Sequence, residues 1–423
     1  MIENVANTSR LVFLLVLGVS AVLCLHRVLY AILGFGKMIK FKTAKKDHRF
    51  AILIPARNES KVINNLLDAL DRQDYDKSKL DTYVIVQDEN DVTINIAKKH
   101  GVKVIVEPNQ KCKGDALDAA IKHIYAGEEK YDAFLIFDAD NIPVENFVTE
   151  INKALDAGYD IGIGYRNSKN WNDGWVASGS ALTFTIINTL SNKGRTKLGV
   201  SNIFSGTGYF VKESVLAQFK SWPFKTLTED YEISLYSILN NLKTTYVESA
   251  EYFDEQPAKF KVSSKQRKRW VKGYMMSRKK YAGKIAKSFF TQKGNKWSKF
   301  EHIFGVFPLV LLLVDVILYL LLQIAFIIWA AIIKVSVWRY VWEFVIVLAA
   351  IYLVLMIITI VALLSERKRI DISAKSVITA IFANPLFLVT YIPIAIAALT
   401  SKNVSWEAIE HNKTMDIIQG KKV

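Results

Sequence analysis

Four long apolar stretches divide the chain, one near its start and three towards its end. They cover residues 11–35, 303–333, 342–364 and 377–399. Each is long enough for the roughly 20 residues that a helix needs to cross a bilayer. The first stretch contains His26 and Arg27 and has no small-residue cleavage site, so we predict a retained anchor and not a signal peptide.

Basic residues flank the first apolar stretch unevenly. Arg10 alone precedes it, whereas five lysines and an arginine follow it within residues 37–49. Positive charge favours the cytoplasmic side, so we expect the polar region 37–300 to be cytoplasmic in a multi-pass protein of the cell membrane. The last stretch holds Pro385 and Pro393. Whether it spans or is re-entrant stays open, as does the side on which the tail lies.

Between the first and second apolar stretches, short β-rich runs alternate with amphipathic helical ones. The predicted strands cover residues 50–54, 83–87, 102–106 and 133–137, and the predicted helices cover 60–73, 93–99 and 114–126. This alternation predicts an α/β domain with a mostly parallel, Rossmann-like sheet and helices on both faces. In such a sheet, ligands bind beyond the carboxyl ends of the strands.

The chain of 423 residues is 51% apolar and carries a net charge of +15. Residues 258–300 contain fifteen Lys or Arg and no Asp or Glu, so this one segment accounts for the whole imbalance. A basic belt beside an apolar stretch indicates contact with anionic lipid and argues against nucleic-acid binding. Two cysteines and six scattered histidines exclude a disulfide framework and the usual zinc-hydrolase motif.

These patterns divide the chain into five parts. We predict an anchor at 1–36, a catalytic domain at 37–257, basic interfacial helices at 258–302, membrane helices at 303–400 and a tail at 401–423.

Polar residues follow each predicted strand. The four segments are 55–59, 88–91, 107–114 and 138–140. The chain has no Gly-x-x-x-x-Gly-Lys-Ser/Thr loop and no Gly-x-Gly-x-x-Gly after the first strand, which argues against a P-loop nucleotidase and a dinucleotide enzyme. A nucleotide would then bind through a metal. Asp138 and Asp140 lie two residues apart after a buried strand, and such carboxylates suit Mg²⁺ or Mn²⁺.

Two further clusters carry chemistry. Thr228-Glu229-Asp230 opens a predicted helix. In one interpretation Thr228 is an N-cap and the two acids complement the helix dipole. In the other Asp230 is a general base, and the two interpretations are compatible. Gln266, Arg269 and Trp270 share one face of a second helix, where they could bind phosphate and a sugar. The alternative for this cluster is an amphipathic interfacial helix with a capping box between Ser263 and Gln266.

Taken in order, these motifs resemble those of the membrane-embedded family 2 glycosyltransferases, which include cellulose, chitin, hyaluronan and poly-N-acetylglucosamine synthases. The motifs are Pro-x-x-Asn-Glu, an Asp after the second strand, Lys-Gly-x-Ala-Leu, Asp-x-Asp, Thr-Glu-Asp and Gln-Arg-x-Arg-Trp. The resemblance covers roughly residues 50–400. Glu255-Gln256-Pro257 is similar to a bacterial exopolysaccharide subgroup.

The resemblance implies a GT-A fold and inverting transfer from a UDP-sugar such as UDP-GlcNAc or UDP-glucose. It implies Asp230 as the catalytic base with Glu229 beside it, and Asp140 with Asp138 as metal ligands. Asp88 would contact the uracil, although the loop 88–91 departs from the commoner form. The remaining implied donor-binding residues are Glu59, Lys113, Asp138, Gln266, Arg269 and Trp270, and the implied acceptor-lining residues are Ser205, Gly206 and Trp270.

Two products remain open: a growing polysaccharide that leaves through the membrane, or a single sugar added to a lipid acceptor. Asp315, deep in the second apolar stretch, suits a polar path through a helix bundle, or else a hydrogen bond between packed helices. Few membrane helices make a narrow channel, so export would require a homo-oligomer or an accessory partner. A catalytically silent scaffold is the third hypothesis.

Overall fold

The main sheet of the protein has eight strands among the residues that the structure describes. This computed structural model describes residues 2–305, 307–401, 404, 411, 417–418 and 421–422. The strands are β1 (Phe50–Pro55), β2 (Leu80–Val86), β3 (Lys103–Val106), β4 (Ala133–Ile136), β5 (Ile142–Pro143), β6 (Ile161–Ser168), β7 (Tyr209–Lys212) and β8 (Thr244–Asp254). Their order across the sheet is β3-β2-β1-β4-β7-β6-β8-β5.

The predicted α/β fold with a mostly parallel sheet is confirmed. Strands β3, β2, β1 and β4 run parallel, β7 is antiparallel to both neighbours, and β6 is parallel to β8. All residues of β4 are buried, as are the first five of β1. Apolar strands covered on both faces belong in the centre of a parallel sheet, which is why these two were readable from the sequence.

Nine α-helices precede or interrupt the sheet in the described residues. They are α1 (Ile2–Phe35), α2 (Ile63–Asp71), α3 (Thr93–Lys99), α4 (Lys113–Ala126), α5 (Phe147–Asp156), α6 (Trp175–Thr185), α7 (Lys193–Lys197), α8 (Glu213–Leu216) and α9 (Glu229–Leu239). A π-helical segment, Ile186–Asn192, joins α6 to α7, and a 3₁₀ turn covers Lys77–Lys79. The three helices predicted between the first strands are all present, and their ends differ from the predicted ones by only a few residues.

Two apolar clusters enclose the sheet, one on each face. One includes Ile52, Leu135 and Phe147, and the other includes Leu53, Ile136 and Trp222. Successive residues of β1 therefore enter opposite clusters, as the period of a strand requires. The clusters hold the strand ends, and the loops that follow them, in fixed positions.

Six helices follow the last long strand. They are α10 (Phe260–Thr291), α11 (Lys296–Phe304), α12 (Phe307–Ile332), α13 (Trp338–Glu366), α14 (Ala374–Val389) and α15 (Tyr391–Thr400), and a short antiparallel pair, β9 (Ile417–Ile418) with β10 (Lys421–Lys422), lies near the end. Within the described residues, four helical stretches are long and apolar enough to cross a membrane: Ile2–Phe35, Lys296–Ile332, Trp338–Glu366 and Ala374–Thr400. These are the four stretches predicted from hydropathy, with longer ends.

The fourth stretch is not one continuous helix. Pro385 lies inside α14, and α15 starts just beyond Thr390, with Pro393 in its first turn. Proline removes a backbone donor and crowds the preceding turn, which accounts for an interruption here. Most of the predicted tail, 401–423, lies outside the described residues.

The polar residues of the first stretch do not interrupt its helix. α1 continues through His26 and Arg27, and Arg27 Nη2 donates to the carbonyl of Gly305 at 2.8 Å. Near its end α1 crosses the segment that follows α6 without space for a side chain. A Cβ on Gly34 would lie 2.2 Å from the carbonyl oxygen of Thr189, and one on Gly194 would lie 2.3 Å from that of Tyr30.

The predicted capping box between Ser263 and Gln266 is wrong. α10 begins at Phe260, with Lys259 as its N-cap, so Ser263 lies inside the helix. Its hydroxyl is buried and has no hydrogen-bond partner among the described residues. Because the chain enters this helix directly from the loop after β8, the first turn forms earlier than the polar pattern indicated.

Candidate active site

A cavity of about 350 Å³ opens at the carboxyl edge of β1 and β4, between the sheet, α9 and α10. Eleven of the predicted site residues line it: Glu59, Lys113, Asp138, Asp140, Ser205, Gly206, Glu229, Asp230, Gln266, Arg269 and Trp270. They come from segments that lie far apart along the chain. The sheet edge therefore brings together groups that the sequence could relate only through motif order.

Asp88, the predicted uracil contact, lies outside the cavity lining. It is exposed, and its Oδ1 accepts hydrogen bonds from the backbone and side-chain nitrogens of Asn90 at 2.9 and 3.1 Å. Asp91 is the buried carboxylate of this loop, and it accepts from the backbone nitrogen of Asn58 at 2.8 Å. Asn58 has a φ of +59°, so this contact stabilises a backbone conformation that few side chains adopt.

Lys113 connects three parts of the cavity. Its Nζ donates to Asp138 Oδ1 at 2.5 Å and to the carbonyl of Gly206 at 2.6 Å, and it lies 3.8 Å from Glu229 Oε1. Burial alone would lower the pKa of Lys113, but Asp138 and Glu229 outweigh that effect and raise it. The lysine is therefore a fixed positive charge, held in place by carboxylates from two elements.

Asp140 is buried, and hydrogen bonds hold both its side chain and its backbone. Its Oδ2 accepts from the backbone nitrogen of Glu255 at 2.9 Å, and Lys169 Nζ donates to its carbonyl at 2.6 Å. Behind it, Asp254 pairs with Arg166, whose Nε donates to Asp254 Oδ2 at 2.9 Å. We call Lys113, Asp138, Asp140, Arg166 and Asp254 the polar wall.

The loop 205–208 closes the polar wall and depends on two glycines. Gly206 and Gly208 have φ values of +86° and +65°, and a Cβ on Gly208 would lie 2.1 Å from the ring of Tyr252. Arg166 Nη1 donates to the carbonyl of Ser205 at 2.8 Å. A Cβ on Gly206 would lie 3.8 Å from Asp230 Oδ2, so the loop runs beside that carboxylate.

Glu229 and Asp230 form the first turn of α9, and Thr228 is its N-cap residue. The Thr228 hydroxyl makes no capping bond, so the simple capping explanation does not account for this residue. Burial raises the pKa of Glu229 to about 8 and also raises that of Asp230, although Lys113 opposes both shifts. Two adjacent carboxyls in a desolvated turn hold protons more readily than they would in water.

The helix α10 covers the cavity on the side where it packs against α15. Desolvation lowers the pKa of Arg269, while Glu229 and Asp138 oppose that shift. Trp270 packs edge-on against Phe184, with ring centroids 5.7 Å apart. At Gly273 the helix approaches α9 so closely that a Cβ would lie 2.6 Å from Thr228 Oγ1.

Aromatic side chains also line the cavity, and the sequence interpretation missed most of them. We call Phe184, Trp270, Tyr274 and Tyr391 the aromatic wall. Phe184 is the next-to-last residue of α6, just before the π-helical segment. Tyr391 begins α15, just after the break in the fourth apolar stretch. π-helical turns concentrate at functional sites, but their i→i+5 bonding leaves no composition signal to read beforehand.

Arg267 anchors α10 behind the aromatic wall. It is fully buried, its Nη1 donates to Thr390 Oγ1 at 2.7 Å, and its guanidinium lies 4.2 Å from the Phe387 ring centroid and 4.8 Å from that of Tyr391. No carboxylate pairs with it among the described residues. Of the two arginines in the motif Gln-Arg-x-Arg-Trp, Arg269 therefore lines the cavity and Arg267 contacts the break between α14 and α15.

His411 reaches the cavity from the end of the chain. Its Nδ1 lies 3.2 Å from Glu59 Oε2, across a separation of 352 positions. Burial would lower the pKa of His411, but Asp140 and Glu59 outweigh it and raise that pKa to about 10. The sequence contained no signal for this pair.

The predicted metal ligands Asp138 and Asp140 face the cavity but are not gathered with a third ligand. Among the described residues, three ligand atoms lie within 4.8 Å of one another only at Asp68, Asp71 and His100, none of which lines the cavity. The Asp138 and Asp140 carboxylates are hard oxygen donors, which suit Mg²⁺ or Mn²⁺ when other oxygens complete the shell.

Asp315 lies on α12, away from this cavity. Its Oδ2 is buried and has no hydrogen-bond partner among the described residues. The sequence analysis considered a hydrogen bond from Asp315 to a packed helix. Within the described part of the chain, Oδ2 makes no such bond.

Comparison with known protein families gives the class of this α/β domain. The model of the family described as "Glycosyltransferase like family 2" matches residues 48–273, more than half of the chain. The chain belongs to this family. Its GT-A-like fold, predicted from the motif order, is confirmed.

Two curated relatives and one solved structure are similar to the chain. A Bacillus subtilis protein named probable glycosyltransferase YdaM is 27% identical over 241 residues, covering 54% of this chain and 56% of that protein. The Arabidopsis thaliana probable glucomannan 4-beta-mannosyltransferase 14 is 27% identical over 204 residues, covering 46% and 36%. The chain thus matches about half or less of each relative's length.

The solved structure is that of the mannosyltransferase PcManGT from Pyrobaculum calidifontis in complex with GDP-Man and Mn²⁺. It covers 95% of this chain and 100% of its own, with a TM-score of 0.60 and 14% identity. At this identity the likeness concerns the fold. The structural likeness extends over nearly the whole chain. The family model, in contrast, covers only residues 48–273.

Proposed function

We propose that the protein is an inverting glycosyltransferase that moves a hexose from a nucleoside diphosphate sugar to an acceptor at the membrane. The observation that carries this proposal is one cavity holding the Asp138–Lys113 pair, the desolvated Asp230 and the desolvated Arg269. Such a set can bind a diphosphate, accept a proton and stabilise a departing anion within one space.

Asp230 is the proposed general base. A base works best when its pKa lies near the working pH, and burial moves the pKa of Asp230 upward from that of a free carboxyl. It would take the proton of the attacking acceptor hydroxyl as that oxygen bonds to the anomeric carbon and the nucleoside diphosphate leaves. One displacement inverts the anomeric centre, so an α-linked donor gives a β-linkage.

Lys113, Arg269 and Gln266 are the proposed diphosphate contacts, with Glu59 on the donor side of the cavity and Ser205, Gly206 and Trp270 on the acceptor side. Arg269 suits phosphate because its fork of N–H donors matches paired oxygens. Trp270 presents a flat indole, which suits a sugar ring.

Asp138 and Asp140 are the proposed holders of Mg²⁺ or Mn²⁺. A bound cation would neutralise charge on the diphosphate leaving group. Support comes from the oxygen donors facing the cavity and from the Mn²⁺ in the complex of the Pyrobaculum mannosyltransferase.

The donor has two candidates. The motif resemblance favours UDP-GlcNAc or UDP-glucose. GDP-mannose is the second candidate, because the Arabidopsis relative is named a mannosyltransferase and the Pyrobaculum enzyme is a mannosyltransferase in complex with GDP-Man. The exposed position of Asp88 also removes the expected uracil contact from the cavity lining and so weakens the case for UDP.

The proposed acceptor is a glycan or a lipid at the membrane. Tyr391, from a helix of the fourth apolar stretch, lines the same cavity as the proposed base. We favour a growing polysaccharide exported between membrane helices, with help from a second copy or a partner, over a single sugar on a lipid. In this proposal the protein is a multi-pass protein of the cell membrane, with domain 37–257 in the cytoplasm.

Nucleoside diphosphate release by the full chain in lipid nanodiscs tests the proposal. The protein would be given Mn²⁺ with UDP-GlcNAc, UDP-glucose, UDP-galactose or GDP-mannose, and the product would be sized. We expect release with one donor and a high-mass, glycosidase-sensitive product.

Release with a small lipid-soluble product would instead identify the glycolipid enzyme. Absence of release with all four donors, from protein whose incorporation is verified, would contradict the proposal and favour the silent scaffold.

A further inference from the structure

A second cleft lies where two of the membrane-length helices end. It has a volume of about 260 Å³ and is lined by the last residues of α1, Gly34 and Phe35, and by the end of α13 with the turn after it, residues 364–369. Lys193 of α7 and Glu248 of β8 close the other side. The cleft is separate from the catalytic cavity and shares no lining residue with it.

The charge of this cleft is unbalanced. Four cations line it, Lys193, Arg367, Lys368 and Arg369, against the two carboxylates of Glu248 and Glu366. Both carboxylates are already engaged, since Glu248 accepts from Lys193 at 2.6 Å and Glu366 accepts from the Thr189 hydroxyl at 2.5 Å. Two positive charges therefore remain uncompensated by the lining.

Two of the cations are available to a ligand. Arg367 and Lys368 are exposed, and neither side chain forms a hydrogen bond or ion pair within the described residues. Arg369 lies 3.8 Å from Glu248, but its Nη1 is buried and has no hydrogen-bond partner in that part of the chain. An anion in the cleft would give these donors the acceptors that they lack.

Helix ends alone do not account for the charge. The carbonyl of Leu33, in the last turn of α1, is met by Lys197 Nζ at 2.6 Å, and that of Glu366 by the backbone nitrogens of Arg369 and Ile370. Lys197 does not line the cleft. The carbonyls of Leu33 and Glu366 therefore already have hydrogen-bond donors, and they do not require Arg367 or Lys368.

We propose that this cleft binds the phosphate of an anionic lipid headgroup. The inference rests on the proposed membrane embedding, because α1 and α13 then both end at headgroup depth. Basic pockets between membrane helices bind acidic headgroups in this way. The close crossing of α1 at Gly34 and Thr189 fixes one side of the cleft, so a bound headgroup would join α1 to α13.

The test compares two charge-matched double variants of the full chain. R367Q/K368Q removes the two exposed cations of the cleft, and K98Q/K99Q removes two exposed cations from the end of α3, outside the cleft and outside the basic segment 258–300. Each would be reconstituted in nanodiscs of phosphatidylcholine and phosphatidylglycerol, then extracted. The lipids that stay bound would be counted by native mass spectrometry.

We expect wild type and K98Q/K99Q to retain phosphatidylglycerol over phosphatidylcholine. In R367Q/K368Q that preference should fall about 25-fold, since each basic side chain near a membrane is worth roughly fivefold. An equal loss of the phosphatidylglycerol preference in both variants, or no loss in R367Q/K368Q, would overturn the proposal that the cleft binds the headgroup. A failure of wild type to enter nanodiscs would instead overturn the membrane embedding beneath it.

A competition arm separates a lipid from a free phosphate. Inorganic phosphate and glycerol 3-phosphate would be added to the extracted protein at millimolar concentration. We expect phosphatidylglycerol to remain bound. Its displacement by either compound would identify a soluble phosphate as the ligand and overturn the lipid assignment.

Discussion

The polar wall contains one buried arginine, Arg166, and a second, Arg267, lies behind the aromatic wall. Both contact aromatic rings, but only Arg166 is paired with a carboxylate among the described residues. Arg166 pairs with the Asp254 carboxylate, donates to the carbonyl of Ser205 and lies 3.6 Å from the Phe184 ring centroid. Arg267 has one hydroxyl, a long contact to a carbonyl and the faces of aromatic rings. In the polar wall, charge pairs fix the positions of the side chains. The aromatic wall is held by packing, which tolerates substitution of one side chain by another.

The two walls also differ in where their residues come from. The polar wall follows the ends of strands in a rigid sheet, and the aromatic wall depends on α6, α10 and the break between α14 and α15. Donor binding requires charges that are fixed before the reaction. An acceptor that must move after each transfer is better served by flat, uncharged surfaces.

The same substitution should therefore have unequal effects at the two arginines, with the larger at Arg166. Arg166→Met leaves Asp254 buried without its partner, a change that costs about 3–5 kcal/mol. Thermal unfolding of detergent-purified protein measures it. Adding Asp254→Leu should recover part of the loss, and a double variant no more stable than Arg166→Met would contradict the charge-pair account.

Gly273→Ala tests the joint between the walls. A Cβ at this position would lie 2.6 Å from Thr228 Oγ1 and 2.8 Å from its backbone nitrogen, so α10 or α9 must shift. We expect a loss of about 1–3 kcal/mol in unfolding free energy and a slower transfer.

The control for this variant is Gly283→Ala on the same helix, where a Cβ would meet nothing within 4 Å. It should stabilise the helix by up to about 1 kcal/mol. Equal effects of the two variants would show that the contact at Thr228 is unimportant.

Arg267→Met should be milder than Arg166→Met. Removing the guanidinium loses cation–π contacts worth about 2 kcal/mol but also relieves the desolvation of an unpaired charge. The expected net loss of unfolding free energy is smaller than about 2 kcal/mol by this reasoning, again measured by thermal unfolding. A loss as large as that of Arg166→Met would mean that the two walls are not different in kind.

The last prediction concerns pH. The folded pKa of Glu229 is about 8, above that of an exposed glutamate, because the side chain is buried. The folded state then binds the proton more tightly, so this contribution to stability is complete at acidic pH and is lost as pH rises towards 8. Without donor present, we expect the melting temperature of Glu229→Gln to change less between pH 5 and 8 than that of wild type. An unchanged slope would contradict the raised pKa.

The site residues that could be predicted are those whose role is indicated by their immediate neighbours in the sequence. Asp138, Asp140 and Asp230 were readable because they directly follow a buried strand or open a helix, so position and chemistry are adjacent in sequence. Arg166 and Asp254 meet across 88 positions and lie inside strands, where nothing marks them as partners. Their pairing depends on the parallel register of β6 and β8.

Two errors have physical causes. Asp88 was assigned because it is the first acid after β2, yet the turn points it outward and buries Asp91 instead. Ser263 resembled a helix start because it precedes Gln266 by three residues, but the helix had already begun at Phe260. In both, a short-range pattern was overruled by how the segment packs on the domain.

The most direct test of the central claim is nucleoside diphosphate release by Asp230→Asn beside wild type, with the donor that wild type uses. If Asp230 is the base, release should fall by about 10²–10⁴-fold, while donor affinity, measured separately by calorimetry, changes little. Turnover by Asp230→Asn at the wild-type rate would contradict the account of this cavity as a glycosyl-transfer site with Asp230 as its base.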